Sequence, residues 1–264
     1  MLLVIDVGNT NTVLGLYDGD RLAKSWRLTT ERQRTTDEYG ILCRNLFELS
    51  GIRWDAITAI AIASVVPPLN YTLRRMASVY FHVEPLFIDP ARNAGMPVLY
   101  NPPTDVGADR IVNGVAAFAR YGGPCIVVDF GTATTFDAIS RDGEYLGGVI
   151  CPGIQISAEA LFSKAARLPR VEIARTDSVI GASTVASIQS GLFYGYVGLV
   201  EGILRRMITE LGGDVRVIAT GGLATMIARG TEMIQTVDPD LTLEGLRLIY
   251  ERNRENADIG DDGR

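Results

Sequence analysis

An apolar run that ends in aspartate and then turns on a glycine occurs twice in this chain, at residues 2–8 (L-L-V-I-D-V-G) and 125–131 (C-I-V-V-D-F-G). Four consecutive apolar residues closing on turn chemistry read as a buried strand, and the apolar-rich runs 12–17 and 134–139 that follow read as the returning arms of hairpins. Superposing the two signatures puts Asp6 on Asp129, Gly8 on Gly131 and Thr12 on Thr135. Self-similarity of this kind restricts the chain to architectures built from two like halves.

The remaining pattern extends the repeat. In the first half a turn at Asp18-Gly19-Asp20 leads to a third strand at 21–28. A helix at 36–49, with Tyr39, Leu42, Cys43, Leu46 and Leu49 at helical spacing, precedes a strand at 57–63, a helix at 69–81 and a short strand at 85–88. In the second half a turn at Asp142-Gly143 and a strand at 145–150 complete the opening hairpins. Helices follow at 154–166 and 183–211, then a strand at 215–219, the turn Thr220-Gly221-Gly222, a helix to about 229, a strand at 233–237 and a helix at 243–252. Residues 255–264 read as a frayed tail. The expected division is 1–122 and 123–264, two halves that clasp one nucleotide between them. Residues 90–109, rich in Pro, Gly and Asn, read as a long loop of the kind that carries function.

Composition narrows the chemistry. Three cysteines, Cys43, Cys125 and Cys151, stand far apart without a C-x-x-C pair, which argues against a disulfide framework or zinc cage and fits a reducing compartment. The N-terminus enters a strand directly, with no basic leader and no apolar span of bilayer length, so the reading is cytoplasmic, with no membrane partner. A net charge of −6 with no Lys/Arg cluster attracts a phosphate backbone poorly, so nucleic acid is not the expected ligand.

The first signature continues as Asp6-Val7-Gly8-Asn9-Thr10-Asn11-Thr12. A glycine after a strand-end carboxylate lets the backbone turn tightly, and the turn's N–H groups with Asn and Thr side chains suit phosphate oxygens. A single carboxylate beside nucleotide phosphates is enough for a largely hydrated Mg2+. Alone, the same residues also describe an ordinary hairpin turn. The second copy, Asp129-Phe130-Gly131-Thr132-Ala133-Thr134-Thr135, offers the same elements from the other half. Ala219-Thr220-Gly221-Gly222 adds a small-residue turn before a helix, a place for a nucleoside or phosphate. No G-x-x-x-x-G-K-[ST] loop occurs, which excludes a P-loop enzyme, and no G-x-G-x-x-G follows either leading strand.

Phosphoryl transfer to an alcohol needs a base, and the sole histidine, His82, lies away from these motifs. A carboxylate therefore serves. In Asp105-Val106-Gly107-Ala108-Asp109-Arg110, Asp105 is a possible N-cap, with Asp109 and Arg110 in the first helical turn. Asp109 in that position could equally be a charge that complements the helix dipole.

D-V-G-N-T-N from Asp6, G-A-D-R from Gly107, D-F-G-T-A-T-T from Asp129, G-G-V-I-C-P-G from Gly147 and G-A-S-T from Gly181 follow one another with A-T-G-G from Ala219. In these residues, and over nearly its whole length, the chain resembles the type III pantothenate kinases. The resemblance implies an α/β fold of two ribonuclease H-like halves, the acetate and sugar kinase/actin-like ATPase fold. It also implies ATP-dependent phosphorylation of pantothenate, the first step of coenzyme A biosynthesis, by direct in-line transfer. ATP would bind Asp6, Val7, Gly8, Asn9, Thr10, Asn11, Thr12, Val13 and Thr132; pantothenate would bind Tyr100, Gly107, Ala108, Asp109, Arg110 and Thr184. Asp109 would accept the proton, and Asp129 would hold a monovalent cation, K+ or NH4+, in addition to Mg2+ with ATP. A homodimer is implied, with the acceptor site near the subunit interface; the helix at 183–211, apolar on more than one face, is the expected interface. Other readings are a non-catalytic nucleotide-binding regulator, a kinase for another small alcohol, and an assembling actin-like ATPase. Intact loops and base argue against the regulator, and Tyr100 with G-A-D-R argues against an ATPase that lacks an acceptor.

Overall fold

Apolar residues on both faces bury the first strand, and its neighbours assemble outward from it. The computed structural model describes residues 1–165 and 167–261, with 257–261 as backbone only. β1 (Leu2–Val7), β2 (Asn11–Asp18) and β3 (Arg21–Thr29) form an antiparallel meander; β4 (Ala59–Ser64) and β5 (Leu86–Phe87) add in parallel, giving the order β3-β2-β1-β4-β5. α1 (Thr36–Leu49) opens on a capping box, in which Thr35 Oγ1 accepts from Glu38 N–H and Glu38 accepts from Thr35 N–H. α2 (Pro67–Met76) starts on proline at its first turn, where the missing N–H costs nothing, and runs on through a wider turn at Ala77–Phe81. Tyr39, Cys43 and Phe47 of α1, with Leu69 and Leu73 of α2, pack against Leu3, Ile5, Leu14 and Leu16 of the sheet. Each such side chain contributes about 1.5–3 kcal/mol on full burial.

α3 (Ala108–Tyr121) follows the long loop, and the second half then repeats the plan. β6 (Cys125–Phe130), β7 (Ala133–Ile139) and β8 (Tyr145–Pro152) form the meander. α4 (Ile154–Lys164) and α5 (Thr184–Leu211) precede β9 (Arg216–Gly221), α6 (Ala224–Ala228), β10 (Thr236–Val237) and α7 (Leu241–Asp261). The sheet order is β10-β9-β6-β7-β8, with the same parallel and antiparallel pairings as the first. Two ribonuclease H-like sheets are thus present, as expected. Phe193, Val197, Val200 and Leu204 of α5 pack with Ile154 of α4 on Ile126, Val128 and Phe136.

Contacts group Met1–Ala116 with the residues from Thr242 onward, and Ala117–Leu241 by themselves. The 122/123 division therefore differs from the packing at the C-terminus. α7 belongs with the first sheet because Gly15 leaves room for Leu243 and the Arg247 guanidinium lies 5.7 Å from the Tyr17 ring centroid. Gly245 likewise approaches the Val112 carbonyl of α3 so closely that a side chain would collide with it.

Several local expectations change. Residues 255–261 continue α7 rather than fray, while 262–264 lie outside the described residues, as does Ala166 at the expected end of α4. Asp105 ends a short turn, Pro103–Asp105, and does not cap α3; the Gly107 carbonyl accepts from Arg110 and Ile111 N–H instead. Among the described residues no helix is long and apolar enough to cross a membrane.

Candidate active site

The two D-x-G turns differ by one residue. In the first, Gly8 N–H donates to the Asn11 carbonyl at 3.0 Å and Val7 pairs with Thr12; in the second, Gly131 N–H donates to Ala133 at 3.0 Å and Phe130 pairs with Thr134. Thr12 therefore matches Thr134, both almost fully buried, and not Thr135. The extra residue widens the first loop and leaves Asn9 and Thr10 exposed at its tip.

The chain after β3 braces that first loop. Thr30 N–H donates to the Thr10 carbonyl at 2.9 Å, Thr30 Oγ1 donates to the Gly8 carbonyl at 2.7 Å, and the Thr12 and Thr30 hydroxyls lie 2.9 Å apart. Asn9 Oδ1 accepts from Arg32 at 3.1 Å. Asp6 stays half-buried at the strand end, and Val13 is its cross-strand partner. The sequence pattern does not single out Thr30; a threonine just after a strand and beside a turn is its only signal.

The G-A-D-R segment meets the same end of the same sheet. Val65 N–H donates to the Val7 carbonyl at 3.0 Å, and a β-carbon on Gly107 would sit 3.4 Å from Val65 Cγ1. Val65 thus lies between the first loop and Gly107. Asp109 Oδ1 accepts from Arg110 N–H at 2.8 Å, which holds the carboxylate at the start of α3. Burial pushes the Asp109 carboxyl above the usual carboxylate range; the Arg110 N–H and charge pull the other way but are outweighed. A partly accessible carboxylate with a raised pKa is a suitable proton acceptor. Ala108 and Arg110 are buried, whereas Tyr100 lies in the preceding loop, 36% exposed.

In the other unit, Asp129 stands at the end of β6 against Gly221. Gly221 adopts φ +92°, and a β-carbon there would lie 2.5 Å from Asp129 Oδ1, so the glycine makes room for the carboxylate. Thr132 is exposed, and its carbonyl accepts from Gly153 N–H at 3.1 Å at the head of α4. Thr184 is not beside Thr132. It opens α5 after the Ser183 N-cap and lines a groove of about 820 Å3 with Leu161, Gly181, Ser187 and Leu192. Leu161 lies near the far end of α4, a helix of 11 residues and hence about 16 Å long.

Among the described residues no three His, Cys, Asp or Glu side chains cluster as a metal cage. Single carboxylates at Asp6 and Asp129 suit cations that take most of their ligands from phosphate and water. The cysteines are free; burial pushes the Cys43 and Cys125 thiols up to about 12, consistent with packing rather than chemistry.

The sequence and the fold each have known counterparts. Residues 2–206 match the type III pantothenate kinase family. The type III pantothenate kinase of Anaeromyxobacter sp. (strain Fw109-5) is 61% identical over 254 residues, covering 96% of this chain and 100% of that relative. That of Koribacter versatilis (strain Ellin345) is 56% identical over 267 residues, covering 97% of each. Among solved structures, a Baf family protein from Campylobacter jejuni matches with a TM-score of 0.60 at 22% identity, covering 96% of this chain and 99% of that one. The inorganic polyphosphate/ATP-glucomannokinase of Arthrobacter sp. strain KM matches with a TM-score of 0.51 at 17% identity, covering 95% and 98%. At these identities the two structures speak for the fold alone.

Proposed function

Because the chain belongs to the type III pantothenate kinase family, we propose that it transfers the γ-phosphate of ATP to the primary hydroxyl of pantothenate, the first step of coenzyme A biosynthesis. The observation that carries the reading is Val65, which joins the end of β1 to Gly107, so that the D-V-G-N-T-N turn and the Asp109 carboxylate share one frame.

In this reading the phosphates lie on Asp6, Val7, Gly8, Asn9, Thr10, Asn11, Thr12 and Val13, with Thr132 contributing from the second loop. Backbone N–H groups and the Asn and Thr side chains stabilise charge that develops on the transferring group. Tyr100, Gly107, Ala108, Asp109, Arg110 and Thr184 bind pantothenate. Asp109 accepts the proton of the attacking hydroxyl, and transfer is direct and in line. Arg110 pairs through its planar guanidinium with the pantothenate carboxylate and so orients the hydroxyl.

Mg2+ fits at Asp6, where it would offset phosphate charge, and K+ or NH4+ fits at Asp129, the carboxylate admitted by Gly221. The protein works as a cytoplasmic homodimer: Ile150, Val179, Ile180 and Val185 are 63%, 63%, 87% and 45% exposed, an apolar display that supports a covering partner. The expected functional division is a half with the phosphate loop and acceptor segment, and a half with the second loop and the nucleoside-side turn at Gly221-Gly222.

Arg110→Ala is the test of substrate placement. The reading predicts weaker pantothenate affinity with ATP affinity retained; unchanged pantothenate affinity would count against it.

A further inference from the structure

Residues 30–35 cross beside the first loop, anchored at one end by Thr30 and at the other by the Thr35 cap of α1. Between these anchors, the Arg34 guanidinium lies over the Tyr39 ring, 5.2 Å from its centroid. Tyr39 is 2% exposed, and its hydroxyl lies beside both Thr12 and Arg34; burial, the larger effect, pushes its pKa up. Thr12 in turn lies 2.9 Å from Thr30, whose hydroxyl donates to the Gly8 carbonyl. A continuous chain of contacts therefore joins Arg34 to the glycine of the turn.

Arg34 Nη1 is buried, yet it meets no hydrogen-bond acceptor among the described residues. The nearby Glu38 carboxylate is engaged by Thr35, accepting from both its N–H and its hydroxyl. Arg34 as a whole is half-buried, and a buried cationic N–H without an acceptor is costly; a bound ion or ligand oxygen is one means of completing such a group. An anionic ligand is expected next door on the reading of residues 6–13 as the ATP loop, and those residues contain no Lys or Arg to meet phosphate charge. Arg32 differs, being exposed and already bonded to Asn9.

We propose that Arg34 is a phosphate-binding residue of the first loop: its guanidinium pairs with phosphate oxygens of the bound nucleotide, held in place by the Tyr39 ring and the Thr12–Thr30 hydroxyl pair. The inference rests on the reading of residues 6–13 as the ATP loop. Guanidinium is suited to the task because its fixed fork of donors matches phosphate oxygens, while the aromatic face restrains it without neutralising it.

The test is calorimetric binding of a non-hydrolysable ATP analogue and of adenosine to wild type, Arg34→Gln and Arg34→Lys, with thermal melting of each. Loss of a charged hydrogen bond predicts that Arg34→Gln weakens the analogue by roughly tenfold or more, that adenosine binding is unchanged, and that Arg34→Lys recovers part of the loss. Unchanged analogue affinity in Arg34→Gln would overturn the proposal. So would an equal loss for adenosine with a lowered melting temperature, which would make Arg34 a structural residue. Wild-type protein that binds adenosine and the analogue equally would overturn the phosphate-loop reading itself, and Arg34 with it.

Discussion

Gly107 leaves the space that the Asp109 carboxylate occupies, and a β-carbon on the glycine would collide with Asp109 Oδ1. The glycine thus sets where the proposed base can stand. Gly107→Ala should push the carboxylate off its seat at the head of α3 and lower kcat by roughly a hundredfold, the scale expected for misplacement of about 1 Å. Steady-state kinetics beside a melting curve would check this, with the fall in kcat exceeding any effect on folding.

The Asp109 carboxyl gives a pH prediction with a definite sign. Its folded pKa lies above the unfolded value because burial disfavours the charge. The base must be ionised, so kcat/KM should fall, as pH is lowered, at a higher pH than an ordinary carboxylate near 3.9 would dictate. Stability runs the other way: the protonated form favours the folded state, a contribution complete below the unfolded pKa and lost as pH rises through the folded one. Asp109→Asn, which cannot ionise, should therefore lose kcat by about 10²–10⁴ while melting no lower than wild type at neutral pH. Melting curves across pH would show the difference closing in acid.

Gly153 is held equally tightly, since a β-carbon there would strike the Thr132 and Gly131 carbonyls. Gly153→Ala should shift the second loop, raise the KM for ATP and destabilise the protein by about 1–3 kcal/mol through overpacking. Denaturant unfolding together with ATP titration would measure both effects.

Asp137 is fully buried, accepting from Tyr145 at 2.8 Å and from Thr135 at 3.2 Å. Tyr145→Phe removes one donor from a buried carboxylate and should cost about 1–3 kcal/mol of stability. Pantothenate KM should not change, because neither residue is placed at the substrate.

Much of this architecture was legible because buried strands are written in consecutive apolar residues and their ends in Asp and Gly. Both sheets, α1 with its face of Tyr39 and Cys43, and α5 through Leu211 could be read that way. The one-residue difference between the turns was not legible, since it depends on whether Asn11 or Ala133 accepts the glycine N–H. Nor was the packing of α7, which follows from Gly15 and Leu243, residues more than two hundred positions apart. At the candidate site the motifs singled out Asp6, Asp109 and Asp129. The bracing by Thr30, Val65, Gly153 and Gly221 became visible only in three dimensions, because it runs through backbone groups, the Thr30 hydroxyl, the Val65 side chain and empty glycine space.

The most direct test is phosphopantothenate formation from ATP and pantothenate by the purified protein with Mg2+, with and without K+, beside Asp109→Asn. Potassium-dependent product from wild type, lost in the mutant while ATP still binds, is the predicted result. Folded, ATP-binding wild-type protein that forms no phosphopantothenate would contradict the account.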